Sequence, residues 1–293
     1  MTGEIRAERR VVALNPSRES ENRIHADDVA RRYGFRGGLV PGVAVYGYLV
    51  GLLVDTLGEQ WVARGRTSVR FRSPCYEGDE LLLRLASDGA VEVSADGTVC
   101  VTGETSPGQP DPDRDPDPDP DPDRDPGPDP DGRGARARPP AIPTAVAPDP
   151  GARPAVSPQT LAPGTVLGAI PLDTGAGAVD AYGERIGGMP TVLAANRWVH
   201  PGMLLDAANR VLMAHVVMPL WLHVGSVIAH ERPVTVGEPV EVRARVAREW
   251  EQKGHRFVTL DVEWVAAPDG GSPGAGEVVA GATHTAIWHL AGS

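Results

Sequence analysis

Cysteine is nearly absent: Cys75 and Cys100 are the only two in 293 residues. Two thiols without metal-ligand spacing argue against a disulfide framework, and both read as core residues of a reduced, cytoplasmic protein. Long apolar runs are missing as well. None reaches the roughly 20 residues that a bilayer-spanning helix requires, and Met1 to Arg10 is charged where a secretion signal would be apolar. No basic excess exists either. The formal charge is -11, but ten Asp against two Arg between Asp111 and Asp131 supply -8 of it, which leaves about -3 elsewhere. That near-neutral remainder argues against a nucleic-acid partner. His25 is the only histidine of the first half. Beyond His200, the histidines at 215, 223, 230, 255, 284 and 289 show no ligand spacing, so neither metal nor cofactor is expected.

What is present centres on Ser20 to Leu57. A polar loop, Glu21-Asn22-Arg23-Ile24-His25, leads through a short helix and a flexible Gly37-Gly38 turn to Leu39-Val40-Pro41-Gly42. Pro41 suits the first turn of a helix. The residues that follow, to Leu57, are apolar on nearly every side, so this helix must be wrapped by the rest of the protein. Gly47 and Gly51 cost it roughly 1 kcal/mol each against Ala, and close approach of a sheet to one helical face is the expected return. His25 sits before a helix N-terminus, where free N–H groups and the helix dipole attract developing negative charge.

Strands are predicted over Glu4 to Leu14, Thr67 to Arg72, Glu80 to Ala86, Val91 to Ala95 and Thr98 to Thr105, with Asp88-Gly89 and Asp96-Gly97 as hairpin signals. From 108 to 163 the Asp-Pro repeat and its Gly/Arg/Ala/Pro continuation predict a disordered linker. The second half repeats the first. His200-Pro201-Gly202 opens another apolar helix, Met203 to Val217, and Pro74 to Asp79 recurs as Pro233 to Glu238. The helix-start glycine precedes the turn glycine by 36 residues in one half (Gly42, Gly78) and 35 in the other (Gly202, Gly237). Strands over Leu222 to Ala229, Val240 to Ala247, Arg256 to Val265 and Val278 to Leu290 complete the second copy. The chain therefore reads as an α+β duplication: 1–107, a linker at 108–163, and 164–293.

These residues resemble the double hotdog proteins, MaoC-like hydratases/dehydratases and polyketide-synthase dehydratase domains. Asn22-x-x-His25, with a glycine helix start seventeen residues on, is similar to the hydratase Asp-x-Asn-Pro-x-His followed by His-Gly. Leu39-Val40-Pro41-Gly42 resembles the Val-Pro-Gly of polyketide dehydratases. His200-Pro201-Gly202-Met203-Leu204-Leu205-Asp206-Ala207-Ala208 resembles their His-Pro-x-Leu-Leu-Asp-Ala-Ala, and Tyr182-Gly183 the Tyr-Gly that precedes it. Departures are also present: Ser20 stands where the hydratase aspartate would, Arg23 replaces the proline, Pro41 the second histidine, and Arg210 the residue expected four after the aspartate. The resemblance implies two antiparallel sheets, each wrapped around a central helix, and a His25–Asp206 dyad with one residue from each half.

Removing water from a 3-hydroxyacyl thioester needs a base, an acid and stabilisation of the enolate oxygen. His25 is the expected base, Asp206 holds or protonates the hydroxyl, and the Gly42 N–H binds the carbonyl. Asn22, Gly202, His200 and Tyr182 complete the expected substrate site. His200 has an alternative role at its helix start, Tyr182 in the core, and Asp206 in an i,i+4 pair with Arg210. The expected partner is a thioester of coenzyme A or acyl carrier protein. A hotdog thioesterase and a non-catalytic acyl-binding protein stay as alternatives, and a homodimer of doubled chains is left open.

Overall fold

The computed structural model describes residues 3–108, 141–267 and 276–291. In the first half, β1 (Ile5–Val12) leads through a loop to α1 (Asp27–Arg32) and α2 (Gly42–Leu57), followed by α3 (Glu59–Arg64), β2 (Arg66–Phe71), β3 (Glu80–Ala86), β4 (Ala90–Ala95) and β5 (Thr98–Ser106). In the second half, β6 (Ile170–Leu172) precedes α4 (Ala176–Arg185), α5 (Thr191–Asn196) and α6 (Pro201–His215), then β7 (Leu222–His230), β8 (Val240–Gln252), β9 (His255–Ala266) and β10 (Glu277–His289). The three-residue β6 and the helices α3, α4 and α5 lie beyond the elements predicted from sequence. β6 is too short to show an alternation and forms by pairing with β8.

All ten strands form one sheet in the order β1-β3-β4-β5-β2-β7-β10-β9-β8-β6. Read from either edge inward, the halves have the same order, and antiparallel β2 and β7 join them through Arg66↔Ala229 to Arg70↔Gly225. The duplication extends to single hydrogen bonds. Val40 N donates to Cys75 O and Val199 N to Val234 O, each at 2.8 Å. Asp79 Oδ2 accepts from Tyr76 N and Glu238 Oε2 from Thr235 N, each at 2.9 Å. Gly78 (φ 84°) and Gly237 (φ 88°) take the left-handed position of the two turns, which a side chain would strain.

The repeat sits one residue away from the register suggested by the two Pro-Gly pairs. The N-caps are Pro41 for α2 and His200 for α6, so Gly42 corresponds to Pro201, and 37 residues separate cap from turn glycine in each half. A helix begins where the preceding extended segment stops pairing. Proline tolerates either the cap or the first helical position, so it does not fix that point.

α2 is buried on every side from Val45 to Val54. At Gly47 the close approach is to the second half's helices, not to a sheet. A Cβ there would lie 2.4 Å from the Tyr182 hydroxyl and 3.2 Å from Ile186, while a Cβ on Gly202 would lie 3.0 Å from Gly47 Cα. The two central helices thus cross where neither has a side chain. At Gly51 the neighbour is the Arg9 guanidinium of β1, 3.3 Å from a built Cβ; Arg9 also pairs with Asp55 at 2.6 Å.

The stretch 141–163, assigned by composition to the linker, packs against the fold. Ile142 and Leu161 are buried, Ala155 bridges to Val217, and Arg153 binds Glu21 and the Met213 carbonyl at 2.8 and 2.7 Å. Averaged composition hid two apolar anchors and one ion pair. The rest of the predicted linker, 109–140, lies outside the described residues.

Candidate functional site

Ile24, fully buried, anchors the loop after β1, and its carbonyl accepts from Leu39 N at 3.2 Å. The turn at Gly37-Gly38 is a close approach: a Cβ on Gly38 would lie 2.1 Å from the His25 carbonyl oxygen. Side chains are excluded there so that the loop can lie against the segment entering α2.

Asn22 joins the halves. Its Nδ2 donates to the Trp221 carbonyl at 3.0 Å and its Oδ1 accepts from Trp221 N at 3.2 Å, so backbone groups just before β7 fix the amide orientation. The remaining Nδ2 hydrogen faces His25 Nε2 at 3.2 Å. His25 Nδ1 lies 2.7 Å from the Leu39 carbonyl oxygen, which can only accept, so Nδ1 carries the proton and Nε2 the lone pair. Desolvation lowers the His25 pKa, against the opposing pull of that carbonyl. The ring is therefore a neutral base near pH 7.

His25, Asn22 and Gly42 line one cavity of about 190 Å³ between the halves. Phe71 and Cys75 are also on the first-half wall, and Asn209 of α6, Trp221 and His223 are among the second-half residues. Cys75 and Cys100 are buried free thiols, and the contact with Cys100, together with burial, raises the Cys75 pKa. Asn209 is 8 % exposed, and its Oδ1 is sealed without a partner. α2 has no side-chain cap at its N-terminus, which leaves backbone N–H groups directed at the cavity end.

Asp206 lies about one turn before Asn209 on α6 and is not among the residues lining this cavity. Its carboxylate lies 3.6 Å from Arg210 Nε, with the side chain 38 % exposed, yet desolvation outweighs Arg210 and Arg185 and raises its pKa. Gly202, His200 and Tyr182 gather at the start of α6 instead. His200 Nδ1 accepts from Gly202 N at 3.0 Å and caps the helix. Burial lowers its pKa to about 3, so the cap is neutral. The Tyr182 ring packs at a tilt of 40° against His200, centroids 5.1 Å apart, with its hydroxyl buried at the helix crossing. Ser20 Oγ donates to the Asn22 carbonyl at 3.1 Å, within its own loop.

Sequence reasoning missed Asn209 and a histidine cluster at the cavity wall. His223 Nε2 and Ser226 Oγ are 2.8 Å apart, Ser226 Oγ and His284 Nδ1 3.0 Å, and the two rings 4.2 Å. Nothing local marks these residues, since β10 pairing with β7 brings them together. Among the described residues no group of three His, Cys, Asp or Glu could hold a metal, and no helix is long and apolar enough to cross a membrane.

No family model and no curated protein matches the chain in sequence. Solved structures do. A Mycobacterium tuberculosis protein with a double hotdog fold, described as essential for bacterial survival during infection, is 17% identical, with TM-score 0.61 and coverage of 97% of this chain and 96% of that one. A MaoC-like dehydratase is 14% identical (TM-score 0.56; 97% and 98% covered). A Lactobacillus plantarum protein assigned as an oleoyl thioesterase is 11% identical (TM-score 0.51; 99% and 98% covered). At these identities the likeness is one of fold: the chain is a double hotdog.

Proposed function

We propose that the protein is a hydro-lyase acting on a 3-hydroxyacyl or 2-enoyl thioester of coenzyme A or acyl carrier protein, in the cytoplasm. The observation that carries this is His25: a neutral imidazole with Nδ1 committed to a carbonyl and Nε2 held only by an exchangeable amide, in a cavity at an uncapped helix start. In dehydration, Nε2 takes the α-proton and the C3–O bond breaks. The departing hydroxide takes that proton back from Nε2 and leaves as water. The Gly42 N–H, at the positive end of α2, holds the enolate oxygen. Asn22 orients His25. Asn209 lines the cavity, and a turn of its amide lets the unpartnered Oδ1 accept from the substrate hydroxyl, in the role that the resemblance gave Asp206. Asp206, His200, Gly202 and Tyr182 then serve the frame at the start of α6.

The cavity favours a short acyl group. Its volume of about 190 Å³, open at one side, has room for a few carbons beyond the thioester. A second reading, acyl binding without turnover, is favoured by Ser20, which replaces a carboxylate and bonds only within its own loop.

Mass spectrometry of products from a panel of 2-enoyl and 3-hydroxyacyl thioesters of increasing length tests these readings. Hydration or dehydration of the short members is expected. Release of free thiol without hydration selects a thioesterase, and tight binding without any product selects the acyl-binding protein.

A further inference from the structure

His223, Ser226 and His284 form a hydrogen-bonded chain that ends in the cavity, and none has a role in the chemistry above. On a regular strand His223 and Ser226, three apart, would face opposite sides. The β7–β10 register slips between Thr285↔Gly225 and Ala286↔His223, leaving Val224 as an extra residue. That bulge turns both side chains to one face. Ser226 and His284 are direct partners across the strands.

The ends of the chain are not equivalent. His284 is fully buried, and its Nε2 has no partner. His223 Nδ1 also lacks a partner and is as deeply buried, but the His223 ring lines the cavity and Nδ1 lies 3.1 Å from where a Cβ on Gly42 would be, at the start of α2. Desolvation first, then the neighbouring His284, lowers the His223 pKa against a Gly225 backbone contact, so each ring is neutral with one N–H. Three orientations are open to the chain. One strands an N–H at His284 Nε2, whose ring does not line the cavity. A second has both rings donate to Ser226 Oγ and leaves the Ser226 O–H as the stranded donor. The third runs His284 Nδ1–H to Ser226 Oγ and Ser226 O–H to His223 Nε2, placing the free N–H on His223 Nδ1. Orphaned buried donors are rarer than orphaned acceptors, and only the third orientation puts its free N–H on a ring that lines the cavity.

We propose that His223 Nδ1–H donates to the acyl carbonyl of the bound thioester beside the Gly42 N–H, with Ser226 and His284 as positioning residues that hold its tautomer. This rests on the acyl-thioester reading above.

Long-range 1H–15N correlation on the full chain labelled with 15N-histidine reads the tautomers directly, with His223→Gln and His284→Gln as assignment controls. Both rings are expected in the Nδ1–H form. The His223 Nδ1 signal should move on addition of butyryl-CoA, a saturated thioester that cannot be hydrated, and not with coenzyme A alone. Finding His223 in the Nε2–H form, or unmoved by butyryl-CoA that does shift His25, overturns the proposal and leaves the acyl-thioester reading standing. If butyryl-CoA moves neither histidine, both fall together. On crotonyl-CoA, Ser226→Ala should lower kcat on the order of 10²-fold with KM little changed, and Ser226→Thr should restore it. An unchanged kcat in Ser226→Ala, or a Thr variant as poor as the Ala one, also counts against the proposal.

Discussion

At the start of α2, Pro41 offers no side chain as a cap, and Gly42 faces a cavity walled by Phe71 and His223. At the start of α6, the equivalent cap His200 bends back onto Gly202 N, and the Tyr182 hydroxyl fills the space beside Gly202 and Gly47. The strand order and turn around the two helices are the same. What differs is the loop that leads in. Before α2, residues 13–26 hold Asn22 and His25 against Trp221. Before α6, a segment of nearly the same length carries α4 and brings in a tyrosine. A duplicated frame thus separates two demands that conflict in one copy, since a sealed helix start gives a close crossing and an open one leaves a cavity.

The largest expected effect is on the open start. His25→Ala should reduce turnover of a 2-enoyl thioester by about 10²- to 10⁴-fold, the range for loss of a general base, with little change in Tm. Turnover equal to wild type would leave α2 with no chemistry to distinguish it from α6.

Acid should expose the sealed side. Burial lowers His200 and His284 to about 3 and His230 to about 4. Their folded pKa values lie below the ordinary value, so an unfolded chain binds protons that the folded one refuses. Stability is full above pH 6.5 and falls as pH drops, by up to about 1.4 kcal/mol per pH unit for each ring. Urea midpoints between pH 7 and 5 measure the slope. His200→Asn, which keeps a capping side chain, should reduce it by one ring's share; an identical slope would mean that His200 is not held neutral.

Gly202→Ala should cost about 1–3 kcal/mol by overpacking, because its Cβ would meet the Tyr182 hydroxyl at 2.2 Å and Gly47 Cα at 3.0 Å in a sealed crossing. Tyr182→Phe in the same chain should recover part of that, and strictly additive Tm changes would show that the hydroxyl is not the obstacle.

Gly42→Ala should have the smallest effect on stability, under about 1 kcal/mol. Its Cβ meets the tip of Phe71 at 2.9 Å and His223 Nδ1 at 3.1 Å, and the ring can move into the cavity. KM for the thioester should rise instead. A large Tm loss with unchanged KM would reverse the assignment of the two starts.

Much of this architecture was legible in the sequence because its signals are local. α2 had to be wrapped because it lacks a polar stripe, and the Pro74 and Pro233 turns repeat as motifs. Asp96-Gly97 takes the positive-φ turn (φ 48° and 77°) that its residue types predict between β4 and β5. The site was legible only on one side. His25 and Asn22 stand in a recognisable loop, but the residue of α6 that lines their cavity is Asn209, about one helical turn beyond the aspartate named by the motif.

The sequence by itself determined the duplication, the buried helices and the loop that carries His25, since periodicity, turn chemistry and composition act over a few neighbouring residues. Tertiary structure alone decided which helix face looks into the cavity, that Gly47 and Gly202 meet each other, and that a bulge at Val224 sets His223 beside Ser226 and His284. Those outcomes depend on helix rotation and strand register between segments far apart in the chain. A shift of one residue in either changes which side chain faces the cavity while leaving the local pattern almost untouched.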